Sequence, residues 1–359
     1  MDPSALIPAT ESLQVPWGWF QFLLVVTLFL HMLAMNVMLG TAFIAFVNLL
    51  RRSGEPDPLS REISGKIPFT IAFTVNFGVA PLLFVQVLYG HFLYTSSVLM
   101  ANFWILVIFL LIAGYYLAYI FKYNYEPLHG GRVIVFGLAA TVMLAVAFFM
   151  SSNFTLMQRP EAWTRCFDRP AGLLLNFGDP TFIPRFLHFV TAAVAVGGLS
   201  FALLYEFRHR RGDREAAPLV RSGCYWFSFA TIVNFGFGFW FFGSLRPDVF
   251  DVSTVNGILA AVLLLTGIVL GAVSVISAMQ FRVMRALVTV LPTIFIMILI
   301  RDLVRTAYLK PWFSVSDLEV VPQYSPLLAF LLFLTGGAVL IVWMLRLAWR
   351  TIKAGEVQS

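Results

Sequence analysis

Charge is what this chain lacks most. Only 12% of its 359 residues are Asp, Glu, Lys or Arg, while 60% are hydrophobic. A soluble domain averages about 25% charged and about 45–50% apolar residues. That contrast excludes an ordinary cytosolic enzyme, a disordered chain and a nucleic-acid binder. Cysteine is nearly absent: Cys166 and Cys224 are too few for a disulfide framework. No Cys-x-x-Cys-His run occurs, which excludes a haem covalently attached to this chain. Histidine is sparse at five residues, so each can be weighed singly. The net charge of +6 marks cytoplasmic loops rather than an anionic partner if the chain spans a membrane.

What is present is apolar sequence in long runs. A transmembrane helix needs about 20 such residues. Nine runs qualify, near 17–50, 67–97, 100–121, 132–152, 182–207, 222–243, 254–280, 283–307 and 325–348. The fold class this predicts is an all-α polytopic membrane protein. The polar leader before the first run lacks the basic start of a secretory signal peptide, so that run is expected to be a true span. An odd number of spans puts the termini on opposite sides. Arg51, Arg52, Arg61, Lys66, Arg208, Arg210, Arg211 and Arg214 fall on one side, which holds 16 of the 24 basic residues. The positive-inside bias then predicts an outer N-terminus and a cytoplasmic C-terminus, in a bacterial inner membrane. Trp17, Trp19, Trp163 and Trp312 are expected as an aromatic belt at the outer interface.

The chain also repeats itself. Phe29-Leu30-His31 recurs as Phe186-Leu187-His188, an offset of 157 (188 − 31). Val37, Gly40 and Ala45 match Val194, Gly197 and Ala202 at the same offset. Val75-Asn76-Phe77-Gly78 recurs as Val233-Asn234-Phe235-Gly236, an offset of 158 (233 − 75). Two four-helix repeats plus one extra helix are therefore predicted. Four spans return the chain to its starting side, so the repeats are parallel rather than inverted. The divisions are 1–155 for the first repeat, 156–181 for an outer loop, 182–312 for the second repeat, and 313–359 for a loop, the ninth helix and the tail.

Three of the histidines lie inside apolar runs, and an ionisable residue there is by default a functional one. His31 precedes Arg51, and His188 precedes Arg208, by the same 20 residues (51 − 31 and 208 − 188). Both therefore sit at one depth, about 30 Å from those arginines, and His91 also falls in the outer half. Neutral imidazoles at one level of a helix bundle suit haem iron. The plainer reading of one such His is a hydrogen bond to a neighbouring helix. The repeated Phe-Leu-His favours His31 and His188 as metal ligands, with His91 as a second axial ligand, opposite His31. Arg301 and Arg305 lie one helical turn apart near the outer end of the eighth span. Both can face one anion, such as a haem propionate or a quinone oxygen; interfacial snorkelling is the alternative. Met150 and Met157 offer thioethers, though core filling is the commoner use of Met.

In these residues the chain resembles subunit I of the cytochrome bd quinol oxidases. The Phe-Leu-His of the first span and the segment RFLHFVTAAVAVGG of the fifth are similar to the haem-histidine segments of that family. Met157-Gln158-Arg159-Pro160 and Lys310-Pro311-Trp312 resemble two further short family motifs. The resemblance implies nine helices, b-type haem near the outer face and quinol as electron donor. The departures are as informative. Residues 101–121 hold no Asp or Glu where the family carries acidic residues, and Thr306 stands where it has a ligating Glu. The Arg-x-Met partner of the second haem histidine is missing from the seventh span, and the external quinol loop shrinks to about SLRPDVFDVST. His91 is an addition.

The function these readings predict is a haem b-containing membrane subunit of a respiratory electron-transfer complex. It would relay electrons between membrane quinone and an external c-type cytochrome, as part of a quinol-linked oxidoreductase rather than as a self-sufficient enzyme. The alternatives are a bd-type oxygen reductase, which the missing acids disfavour, and a haem-free structural, anchor or transporter subunit, for which Pro68, Pro81 and Pro292 inside spans leave room. One or two haems b, a quinone, lipid and further membrane or periplasmic subunits are the expected ligands and partners.

Overall fold

A computed structural model describes residues 2–55, 58–168 and 171–358. It contains nine long helices: α1 (Trp17–Arg51), α2 (Pro58–Leu99), α3 (Ala101–Tyr123), α4 (Arg132–Met157), α5 (Phe182–Arg210), α6 (Ala216–Ser244), α7 (Val255–Met279), α8 (Val283–Leu309) and α9 (Tyr324–Gln358). All nine are long and apolar enough to cross a membrane, and each overlaps one of the runs read from the sequence. No strand forms among the described residues beyond a single parallel bridge between Leu13 and Val320. The protein is an all-α, multi-pass membrane protein. Its bulky exposed side chains, such as Phe69, Phe109, Phe239 and Leu265, face outward, where lipid replaces water as solvent.

Among the helix starts the largest difference from the predicted boundaries is at α2, which begins nine residues before its apolar run (67 − 58). Ion pairs extend the helix past the apolar segment. Arg61 pairs with Glu126, and the Glu62 carboxylate takes Lys66 and Arg208 at 2.5 Å each and the Tyr205 hydroxyl at 3.0 Å. Glu62 thereby ties α2 to α5 at the face where α1 ends, called here the C-terminal face. The helix breaks its regular dihedrals at Tyr89 rather than at Pro68 or Pro81.

Helix pairing recurs in the two halves: α1 packs on α2 as α5 packs on α6, and α3 on α4 as α7 on α8. The halves meet along α1 and α5. There Gly40 and Gly197, equivalent at the 157-residue offset, lie backbone to backbone. A Cβ on Gly40 would fall 1.8 Å from the Ala193 carbonyl oxygen and 2.9 Å from Gly197 Cα. Only glycine permits this approach, as in close helix crossings of membrane proteins generally.

Two cores flank this crossing. One, on the C-terminal side, includes Ile44, Leu49, Phe121, Phe136, Ala202 and Phe227. The other lies under the loops of the N-terminal face and includes Leu24, Tyr89, Phe92, Leu156, Trp163 and Leu309. Trp163 is fully buried there and donates its indole N–H to the Leu156 carbonyl at 2.9 Å. It is therefore a core residue, not part of an interfacial belt, whereas Trp17 and Trp19 are exposed. Met157 is buried in the same core. The leader is tied down as well, because the Leu13 N–H donates to the Glu319 carbonyl and the Val321 N–H to that of Leu13, both at 2.7 Å.

Between the two cores the packing opens. Residues 25–34 of α1, 144–151 of α4, 185–192 of α5 and 291–297 of α8 contain no buried residue, although buried residues bracket each stretch. Ten consecutive residues of α1 cover every face of the helix. At this level, then, α1 is only partly enclosed, by contacts such as that of Phe29 with Phe295 and of His31 with α2. Helix α9 stands apart: none of its residues from Tyr324 to Thr351 is buried against the bundle.

Candidate cofactor site

His31 and His188 lie in the open layer. Each is nine residues before its crossing glycine (40 − 31 and 197 − 188), about 13 Å along the helix. The two imidazoles are held in the same way. His31 Nδ1 is 3.0 Å from the Thr74 carbonyl oxygen on α2, and His188 Nδ1 is 3.2 Å from that of Asn234 on α6. A carbonyl only accepts, so Nδ1–H donates in both, and the proton is fixed on that nitrogen. The residue one turn further along each partner helix is glycine. A Cβ on Gly78 would lie 2.9 Å from His31 Cε1, and one on Gly238 would lie 3.2 Å from His188 Cε1. A small residue is what lets the ring reach the helix backbone.

Each ring thus has one nitrogen anchored, while Nε2 makes no hydrogen bond among the described residues. Metal-ligating histidines typically donate their other ring N–H to a carbonyl or carboxylate, which fixes the tautomer and orients the free nitrogen. Among the described residues no cluster of three His, Cys, Asp or Glu side chains could chelate a metal ion by itself. A metal carried in a macrocycle asks the protein for only one or two nitrogen donors. The residues fit haem in that sense: anchored imidazoles, an apolar open layer and arginines nearby.

The sequence repeat pairs Gly78 with Gly236, but the structure uses Gly238. Against the offset of 157 on α5, the contacts on α6 fall at an offset of 160 (234 − 74 and 238 − 78). Asn234 also differs from its sequence counterpart. Its side-chain oxygen accepts from the Thr191 hydroxyl at 2.6 Å, whereas Asn76 is exposed and bonds to its own helix.

His91 is not brought to His31. It is 17 residues beyond Thr74 on α2 (91 − 74), about 25 Å along the helix. Two axial imidazoles must face each other across one atom, so His91 is no partner for His31. It sits instead at the N-terminal face, its ring centroid 4.3 Å from that of Phe92 and 4.6 Å from that of Phe313. Its Nε2 is buried without a hydrogen-bond partner.

Arg301 and Arg305 do not act as one clamp. Arg305 is buried, pairs with Asp302 and stacks its guanidinium 4.2 Å from the Tyr89 ring centroid. Arg301 has no ion pair among the described residues and lies over Phe154 at 5.3 Å. It is within electrostatic range of both His31 and Arg185. Arg185 was less conspicuous in the sequence, where it reads as a flank of the outer loop. It lies one turn before His188, stacks on Phe241 at 5.1 Å, and has a buried Nε without a partner. Its spacing of three residues from His188 was the available signal. Two arginines without ion partners among the described residues thus lie on the N-terminal side of the histidine layer. Nearby, Arg159 is neutralised by Asp179 at 3.1 Å and Arg246 by Asp248 at 2.6 Å.

No protein-family profile matches the chain, and no curated protein matches it in sequence.

Proposed function

We propose that this protein is a haem b-bearing membrane subunit of a respiratory electron-transfer complex, a distant relative of subunit I of the cytochrome bd quinol oxidases. It would exchange electrons between membrane quinone and a c-type cytochrome partner. The observation that carries the reading is the duplicated anchoring of His31 and His188. A single buried histidine bonded to a helix carbonyl is ordinary. Two at equivalent positions, each admitted by a glycine and each with a free Nε2 in an open apolar layer, indicate a ligand role. On this reading His31 and His188 would each hold a haem through Nε2, with Thr74 and Asn234 fixing their tautomers, and Arg301 and Arg185 would neutralise propionates. Haem b, when bound, supplies a one-electron couple between ferric and ferrous iron. The N-terminal face is the outer one in this proposal, in a bacterial inner membrane, which would put the ligands near an external partner.

The test is a pyridine haemochrome assay of the purified chain. Two haems b per chain are expected, with loss of one in His31→Ala and of the other in His188→Ala. Absence of haem b in the unmodified protein would end this reading and favour a structural or transport subunit. A reduced protein that binds CO would turn it toward the oxygen reductase.

A further inference from the structure

On the C-terminal face, several basic side chains are answered by acids. Glu62 takes Lys66 and Arg208, Glu126 takes Arg61 and Arg132, and Glu206 takes Arg210. The tight turn between α7 and α8 is different. Residues 252–301 hold no Asp or Glu. Arg282 and Arg285 lie at this turn, and Arg221 of α6 lies beside it. All three are exposed, and none is in an ion pair among the described residues. Glu206 comes within electrostatic range of Cys224, one turn beyond Arg221, but it is paired with Arg210 at 2.8 Å.

One ring gathers the three arginines. Phe281 has the Arg221 guanidinium 5.4 Å from its centroid and the Tyr225 ring edge-on at 5.6 Å. Its φ of +57° is a left-handed conformation that a bulky residue rarely adopts. The chain then enters α8 with Arg282 at the cap and Arg285 three residues on, in the first turn. Those are the two positions where a capping box carries hydrogen-bond acceptors. Here both are cations, and no side chain caps the helix. The dipole at a helix N-terminus repels such cations. The C-terminus of α7 adjoins with the opposite partial charge, but that is about half a charge against three.

Arg221, Tyr225 and Phe229 follow one another at four-residue spacing down a single stripe of α6, and all three are exposed. The Tyr225 and Phe229 rings are 6.2 Å apart. Arg221 is five residues from the start of α6 (221 − 216), about 8 Å, which is interfacial depth. From the face inward the stripe reads cation, phenol, phenyl. A soluble anion would use the arginines alone. A molecule that joins a phosphate to acyl chains uses the whole stripe.

We propose that Arg221, Arg282 and Arg285 hold the phosphate of an anionic phospholipid of the phosphatidylglycerol type, whose acyl chains lie along Tyr225 and Phe229. Guanidinium groups bind phosphate oxygens bidentately, and the uncapped N–H groups of α8 add donors aimed at the same anion. The site lies on the opposite face from the arginines near His31 and His188 and needs no cofactor.

Native mass spectrometry of the full chain in a mild detergent, titrated with phosphatidylglycerol, tests this. One molecule per chain is expected to stay bound where zwitterionic phosphatidylcholine does not. Each of Arg221→Gln, Arg282→Gln and Arg285→Gln should weaken binding roughly fivefold, and the triple variant about a hundredfold. Arg51, Arg52 and Arg346 are also exposed and outside any ion pair among the described residues. Their triple Gln variant should bind as the unmodified chain does. Equal loss in that control, equal retention of phosphatidylcholine, or undiminished binding in a folded Arg221, Arg282 and Arg285 triple variant would overturn the proposal. Displacement of the lipid by inorganic phosphate or by an oligoglutamate peptide would assign the arginines to a soluble anion and overturn it too. A phosphatidylglycerol with a diazirine in its acyl chain should label residues 225–232, and label confined to other helices would refute the placement. If the triple variant fails to fold, the single variants and the label map decide.

Discussion

Replacing Gly40 by alanine tests the architecture at its narrowest point. The new methyl carbon would stand 1.8 Å from the Ala193 carbonyl oxygen and 2.7 Å from its carbonyl carbon. Ordinary contact begins near 3.4 Å, so α1 and α5 must part by about 1.6 Å (3.4 − 1.8). Both sides of the clash are helix backbone, which has no rotamer to escape into. Overpacking costs about 1–3 kcal/mol where neighbours can yield, and this site belongs at the upper end, about 3 kcal/mol. At about 2 °C per kcal/mol for a large domain, Gly40→Ala should lower Tm by roughly 6 °C. Gly197→Ala, clashing with the same backbone from the other side, should do the same. The chain carries its own controls: nothing lies within 4 Å of the Cβ position of Gly65 on α2 or Gly336 on α9. Alanine in those helices should be neutral or stabilising by a few tenths of a kcal/mol. Thermal unfolding of the four variants in one detergent makes the comparison. A Gly40→Ala protein as stable as Gly65→Ala would refute the α1–α5 contact, and with it the equal disposition of His31 and His188 about that seam.

Three further outcomes follow from the same geometry. Gly78→Leu should push the His31 ring off the Thr74 carbonyl and remove the same haem signal as His31→Ala, and Gly238→Leu should do so for His188; retention of both signals would count against the anchoring. Arg132 is 4% exposed and donates to three carbonyls, of Tyr125 at 2.5 Å and of Gly54 and Glu126 at 3.0 Å each. Lysine cannot reproduce that fork, so Arg132→Lys should cost about 2 kcal/mol in thermal unfolding, and an unchanged Tm would refute the clamp. Truncation after Gln323 removes α9 but keeps the pairing of the leader with residues 319–323; because no residue from Tyr324 to Thr351 is buried against the bundle, folded yield and haem content should be unchanged by size exclusion and absorbance.

Nine spans were legible because lipid imposes a simple rule: enough apolar residues in a row must be a helix. The ends were less legible. α2 continues past its apolar run because Glu62, Lys66 and Arg61 find ion partners, and a partner on α5 is invisible to a window along α2. The equal depth of His31 and His188 was readable from their spacing to Arg51 and Arg208. Their anchors were not, since Thr74 and Asn234 contribute backbone oxygen, which every residue carries. The slip from Gly236 to Gly238 has the same origin: register between packed helices is set by side-chain volumes at the seam, not by letters that match. Trp163 misled because an indole near an apolar end reads as interfacial, whereas an internal carbonyl, that of Leu156, takes up its N–H. Arg185 does not stand out in the sequence from Arg159 and Arg165, which also flank the outer loop, because snorkelling and anion binding call for the same residue in the same place.

The two repeats agree in their apolar and histidine positions and disagree in their charges. His31 and His188, Gly40 and Gly197 are matched, and both imidazoles are fixed through Nδ1. Yet Gln21, Asp302 and Arg305 form a linked polar cluster between α1 and α8, while α5 carries Arg185 one turn before its histidine. If the matched positions bind two haems, the unmatched ones must make them unequal. A buried cation raises the affinity of nearby iron for an electron, and Arg301, which has no ion pair among the described residues, is within electrostatic range of His31. The two haems should therefore titrate at separate potentials, the one at His31 being the higher, and Arg301→Gln should lower that potential while leaving the other in place. A redox titration followed by optical absorbance reads both at once. Two coincident potentials in the unmodified protein, or an equal downward shift of both in the variant, would show that the charges do not divide the repeats in this way.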